Sequence, residues 1–256
     1  MKTLSIHYLP QFVAEADLAG STVVVVDLLR ASTTICYALA NGATAVRPFL
    51  EVAGVAQAVA DYDRDEVKLG GERGGEILEG FDLGNSPHEY TAGEVFGQTI
   101  LFTTTNGTRA LLHARLAQRT VIGAAVNRQS VTEAIADEGD IHILCAGTAG
   151  VVTREDILAA GAIAAELLAS GARTTNEWAE AAVREWQELV NTARVLGRSV
   201  SEQFAEELKT TPGGKNLLAI GQDEDLPLCA QLDVLDVVPE LNQPDSDGSG
   251  GLIVLR

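Results

Sequence analysis

The chain has 256 residues, with 36 Asp and Glu against 18 Lys and Arg, for a formal net charge of −18. That length supports one sizeable domain over residues 1–256, helix-rich from about residue 153. The acidity excludes nucleic acid and anionic membrane surfaces as partners, so an anionic ligand would need local arginine or a metal ion to hold it.

In chain order, residues 5–9 form a first short strand pattern. Val23-Val24-Val25-Val26, within 22–26, reads as a strong buried strand. A helix follows, capped by Ser32 or Thr33 and running to Ala40, where Asn41-Gly42 stops it. Residues 44–49 are strand-like, 52–60 helical, and 67–69 a short strand before the glycine-rich stretch 70–84. Strands over 99–102, 121–124 and 141–144 alternate with helices over 108–116 and 130–136. Such alternation predicts an α/β fold, a sheet with many parallel neighbours and helices on both faces. Beyond Thr153 helical patterns dominate, over 153–170, 176–196 and 201–209, and a capping box is expected between Thr153 and Asp156. Thr211-Pro212-Gly213-Gly214-Lys215-Asn216 breaks the run. Residues 243–251 read as a flexible loop and 252–255 as a terminal strand or docked tail.

Cys36, Cys145 and Cys229 are far apart and odd in number, which points away from a disulfide framework. The first eight residues lack the apolar core of a signal peptide, and no apolar run approaches the ~20 residues of a membrane span. A cytoplasmic location is therefore expected, and the chain is compatible with a homo-oligomer.

Three strand-to-helix junctions carry polar loops suited to an anion: Asp27 to Thr34, Thr103 to Arg109, and Cys145 to Gly150. If their strands run parallel, the loops crowd one edge of one sheet, where open α/β folds bind ligands. Free amides at helix starts favour negative charge there. Asp27 ends an apolar strand, where an unpaired carboxylate is costly; a metal ion or Arg30 would offset that cost, and ordinary helix capping is the bland alternative. Glu72 and Asp82, inside the glycine-rich stretch, are hard oxygen donors suited to Mg²⁺, and Arg73 can grip an anion with paired N–H groups. Glu155 and Asp156 bind metal or simply favour a helix start. Cys145 has no arginine six residues on, as a thiolate phosphatase would require, and reads as a packing residue. Asp27 lacks the second Asp, two residues later, of the haloacid dehalogenase type.

Taken together, these segments resemble the 2-phosphosulfolactate phosphatase (ComB) family. The resemblance rests on Val25-Val26-Asp27-Leu28-Leu29-Arg30-Ala31-Ser32-Thr33-Thr34, Gly70-Gly71-Glu72-Arg73, Gly80-Phe81-Asp82-Leu83-Gly84-Asn85-Ser86-Pro87, Thr104-Thr105-Asn106-Gly107-Thr108 and Cys145-Ala146-Gly147-Thr148. A weaker match runs from Gly213-Gly214-Lys215-Asn216-Leu217 through Asp225, Cys229 and Asp233. The resemblance implies a Mg²⁺-dependent phosphatase converting (2R)-phosphosulfolactate to sulfolactate and phosphate, a step of the coenzyme M biosynthesis type. It also implies a three-layer α/β/α fold with a mixed, largely parallel sheet.

On that basis Asp27, Glu72 and Asp82, with Asp156, are the expected Mg²⁺ ligands. Arg30, Ser32, Arg73, Thr105, Asn106, Thr108 and Thr148 are the expected substrate contacts. Asp27, Arg30 and Glu72 are the expected catalytic residues, with Asp27 a metal ligand, general base or nucleophile. The competing expectations are a non-catalytic binding protein for a phosphorylated or sulfonated metabolite, a phosphatase for another phosphorylated hydroxy acid, and a transferase using the same cradle.

Overall fold

A computed structural model describes residues 2–242 and 251–255. The loop expected over 243–251 lies, apart from Gly251, outside the described residues. In chain order the elements are β1 (Thr3–His7), β2 (Thr22–Val26), α1 (Ala31–Ala40), β3 (Ala45–Phe49), α2 (Val52–Ala58), β4 (Val67–Arg73) and β5 (Glu76–Ile77), then α3 (Ala92–Val95), β6 (Thr99–Thr103), α4 (Gly107–His113), β7 (Arg119–Ile122), α5 (Arg128–Ala134) and β8 (Asp140–Cys145). The helix-rich part holds α6 (Arg154–Ala169), β9 (Arg173–Thr174), α7 (Glu177–Leu196), α8 (Val200–Leu208), α9 (Pro212–Ala219) and α10 (Asp225–Cys229), and β10 (Pro239–Leu241) and β11 (Ile253–Leu255) follow.

Among the described residues the strands form one mixed, largely parallel sheet in the order β5-β4-β6-β3-β11-β10-β7-β2-β8-β1-β9. Strand β2 is all β-branched and buried along its whole length, as a strand covered on both faces should be. Its side chains alternate between two apolar clusters. Val24 and Val26 pack with α6 residues such as Leu158 and Ile163. Val23 and Val25 pack with Ile35 of α1, Phe102 of β6 and Leu111 of α4.

The parallel pairs fall into two blocks, β7-β2-β8-β1-β9 and β3-β6-β4. Strands β10 and β11 join the blocks through antiparallel ladders. Three antiparallel steps separate β7 from β3, so the second block runs opposite in sense to the first. The three polar loops therefore do not line up along one edge of a uniformly parallel sheet. They meet instead where the starts of α1 and α4 converge, above the apolar cluster the two blocks share.

Several local expectations are corrected. The first strand lies two residues earlier than expected, and β7 covers 119–122 rather than 121–124. Helix α1 starts at Ala31 and its N-cap, Arg30, makes no side-chain cap; Ser32 lies inside the helix and its hydroxyl accepts the Asp27 amide at 2.8 Å. Thr153 is the N-cap of α6 but makes no capping box; its hydroxyl donates to Asp156 Oδ2 at 3.5 Å, while the Asp156 oxygens accept the Leu28 and Gly147 amides. The expected break at 211–216 is the start of α9, with Thr211 capping the Gly214 amide and Pro212 in the first turn, where a missing N–H costs nothing. Gly70, Gly71 and Glu72 belong to β4 rather than to a loop. Gly71 has φ +146°, and a Cβ there would collide with the Thr103 carbonyl, so these glycines serve close strand contact.

Candidate active site

A cavity of about 320 Å³ opens over the converging loops, lined among others by Asp27, Arg30, Glu72, Asn85, Thr105, Asn106 and Thr148. Four elements contribute: the end of β2, the β4–β5 turn, the loop before α4 and the loop after β8. Residues Pro212, Gly213 and Asn216 of α9 close one side.

Asp27 is buried at the centre and accepts the backbone amides of Ala31 and Gly107, the first residues of α1 and α4. The approach of α4 requires Gly107, since a Cβ there would lie 2.9 Å from Asp27 Oδ2 and from Ala31 Cβ. Glu72 ties two loops together. Its Oε1 accepts the Thr105 amide at 2.9 Å and the Thr105 hydroxyl at 3.0 Å, and its Oε2 accepts the Gly75 amide at 2.7 Å. Asp156 accepts the Leu28 amide at 2.8 Å and the Gly147 amide at 2.9 Å, joining the β2 and β8 loops. Glu155 accepts the Gly213 amide through Oε1, while its buried Oε2 has no partner.

The loop amides expected to cradle a ligand anion are thus taken by the protein's own carboxylates. That leaves a buried excess of negative charge. Burial, then Glu72 and Glu155, push the Asp27 carboxyl up to about 7. Burial, then Asp27 and Glu155, push Asp156 well above the usual carboxylate range, and burial raises Glu155.

Arg30 is the cation of this cavity. Its Nη1 donates to Asp225 Oδ2 at 2.6 Å and to Gln222 Oε1 at 3.0 Å, and its Nη2 donates to the Gly75 carbonyl at 2.7 Å. Arg30 and Asp225 are both buried, and the second oxygen of Asp225 accepts the Ser86 hydroxyl. Asn106 accepts the Ala149 amide, holding the α4 and β8 loops together.

The structure brings Asp27, Arg30, Glu72, Thr105, Asn106 and Thr148 to one cavity, and it separates the other expected site residues from it. Asp82 pairs through both oxygens with Arg64 and also accepts the Leu69 amide. Arg73 braces three strand ends, bonding the carbonyls of Glu72 and Leu50 and the Thr103 hydroxyl. Ser32 is committed to the end of β2, and Thr108 faces a small interior space with Val25, Ile35 and Ile122. Asp156 lies behind the lining, with both oxygens on amides. Cys145 is fully buried, and burial followed by Asp156 pushes its thiol well up, which suits packing and not a thiolate nucleophile. Sequence reasoning misses Asp225, Gln222 and Asn85 as site residues; their place inside the matching motifs is the one signal that points to them.

Among the described residues no group of three or more His, Cys, Asp and Glu side chains is arranged to hold a metal ion. Mg²⁺ does not need such a cage, because it keeps several waters and takes one or two carboxylates plus substrate oxygens. Asp27 and Glu72 supply two carboxylates at the cavity wall. The excess of carboxylate charge at this wall fits a hard cation.

A family model described as 2-phosphosulpholactate phosphatase matches residues 7–244. The chain belongs to this family. A protein of Symbiobacterium thermophilum named probable 2-phosphosulfolactate phosphatase is 41% identical over 224 residues, covering 87% of this chain and 92% of that one. A protein of the same name from Caldanaerobacter subterraneus subsp. tengcongensis is 37% identical over 228 residues, 89% of this chain and 90% of that one. Another from a Synechococcus species is 38% identical over 234 residues, 89% of this chain and 92% of that one. Every residue that lines the cavity, from Asp27 to Leu217, falls inside the span matched by the 2-phosphosulpholactate phosphatase family.

The raised carboxyls make stability depend on pH. A carboxyl whose folded pKa exceeds its unfolded value favours the fold below the unfolded value, and that contribution is lost as pH rises through the folded one. For Asp27 the window runs from 3.8 to about 7. Urea unfolding without divalent ions should give a free energy that falls between pH 5 and pH 8; a flat or rising profile would contradict the charge assignment.

Proposed function

We propose that this chain is a Mg²⁺-dependent phosphoric monoester hydrolase that converts (2R)-2-phospho-3-sulfolactate to 3-sulfolactate and inorganic phosphate, a step of the kind used towards coenzyme M. Family membership supports the class of reaction and the substrate. The charge of the cavity supports the cation: Asp27 and Glu72 line it with Arg30 as counterweight, and a ligand bearing phosphate, carboxylate and sulfonate would be repelled without further positive charge.

Asp27 and Glu72 would hold the Mg²⁺, which neutralises phosphoryl oxygens and stabilises the charge on the leaving oxygen when bound. The chain's own groups do the rest. Glu72 fixes the Thr105 loop against the Gly75 turn, so that the walls meet the substrate preorganised. Asp27 is held by two amides at the point where the phosphoryl group must enter. From there the carboxylate can also orient an attacking water and accept its proton. Arg30, fixed by Asp225 and the Gly75 carbonyl, presents its remaining N–H edge to an acid group. Phosphoryl transfer has a loose transition state, so this positioning and charge balance carry most of the acceleration.

The test is phosphate release from a panel containing 2-phosphosulfolactate, 2-phospholactate and glycerol 2-phosphate. Water-dependent release fastest from 2-phosphosulfolactate is the expected result. Tight binding without any phosphate release would replace the hydrolase reading with that of a binding protein.

A further inference from the structure

Among the described residues, few carry a buried side-chain polar atom without a partner, and Asn85, through its Oδ1, is the one of them that also lines the cavity. Asn85 is only 5% exposed, so its carboxamide is not satisfied by open solvent. Its backbone is fixed on both sides. The Asn85 carbonyl accepts the Thr34 hydroxyl of α1 at 2.8 Å, and the neighbouring Ser86 hydroxyl donates to Asp225, the partner of Arg30. The same two anchors position Arg30 at the start of α1. Arg30 has five N–H donors, three of which have protein partners, so two remain for a ligand.

A buried carboxamide edge left unpaired is costly unless a ligand completes it. The two ends of an amide have the same shape, so a half-turn presents its N–H₂ in place of its oxygen. Against an anion, the N–H₂ end is the favourable one. We propose that Asn85 and the free edge of Arg30 form a second anion subsite, which takes the non-transferred acid group of the substrate, carboxylate or sulfonate, while the phosphoryl group lies at Asp27 and Glu72. This rests on the reading of the ligand as a phosphorylated hydroxy acid, and it makes Asn85 a specificity-determining residue. A neutral donor is required there because a further carboxylate would add to the acidic wall and repel the ligand.

The experiment is calorimetric binding of two probes in Mg²⁺-containing buffer: 3-sulfolactate, which carries only the non-transferred acid groups, and inorganic phosphate. Asn85→Asp should weaken 3-sulfolactate at least about 30-fold and Asn85→Ala about 10-fold, the range for a lost hydrogen bond to a charged group. Phosphate should change less than about 3-fold in both. Equal weakening of both probes, or an unchanged affinity for 3-sulfolactate in Asn85→Asp, would overturn the subsite. Asn85→Ala adds no charge and little strain, so it keeps the test valid if Asn85→Asp fails to fold. Failure of the hydrolase reading would appear separately, as absence of phosphate release by the wild-type chain.

Discussion

Asp27→Asn should lower phosphate release by about 10³-fold, within the range for loss of a positioned acid–base group, while the protein stays folded. The same change should act on stability with the opposite sign. Ionised Asp27 is disfavoured by burial and by Glu72 and Glu155, which lift its pKa from 3.8 to about 7. Each tenfold rise in proton affinity corresponds to about 1.36 kcal/mol, so above pH 8 and without divalent ions the Asn variant gains up to about 4 kcal/mol over wild type. Asn can accept only one of the two amides cleanly, which reduces the gain. An inactive variant that is more stable than wild type at pH 8, with the gap closing below pH 6, separates a charge-driven site from simple misfolding. Full activity in Asp27→Asn would remove Asp27 from the chemistry.

Asp225→Ala should be the most damaging single change to the fold around the cavity. It leaves the Arg30 guanidinium buried without its carboxylate and takes the acceptor from Ser86. Breaking a buried ion pair in this way costs about 3–5 kcal/mol, or a Tm lowered by roughly 6–20 °C for a chain of this size. Asp225→Asn keeps the shape of the side chain and one acceptor oxygen, and its N–H₂ can donate to the Ser86 hydroxyl oxygen, so it should cost less. Thermal melts of the two variants beside wild type decide it, and an Asp225→Ala melt within about 2 °C of wild type would contradict the buried pair.

The parts legible in the sequence are those governed by local pattern. Strand β2 is read correctly because five consecutive buried β-branched positions leave little alternative. Helices α7 and α8 match the expected 176–196 and 201–209 to within one residue, and Asn176 and Ser199 cap them as side-chain acceptors. The two carboxylates at the heart of the cavity are visible from where they sit, one at a strand end and one among glycines. What escapes depends on contacts distant in sequence. Asp82 has the same chemistry as Glu72, but Arg64 takes both its oxygens, and no spacing rule foretells that pairing. Arg73 looks like an anion clamp and is used as a brace. Helix-start amides look free because a sequence does not reveal that Asp27, Glu72, Glu155 and Asp156 fold back onto them. Strand β11 is legible only as a terminal strand or docked tail, and β10 is too short to register, so the antiparallel link that reverses the β3-β6-β4 block goes unread.

Turnover, on the reading above, depends on a divalent cation that lets the acidic cavity accept an anionic substrate. The most direct measurement is phosphate release from 2-phosphosulfolactate by protein dialysed against excess chelator, before and after Mg²⁺ is restored. The expected result is a fall of at least about 10²-fold, consistent with the several kcal/mol of charge stabilisation a bound metal supplies, and full recovery on adding Mg²⁺. Undiminished turnover in chelator would contradict it.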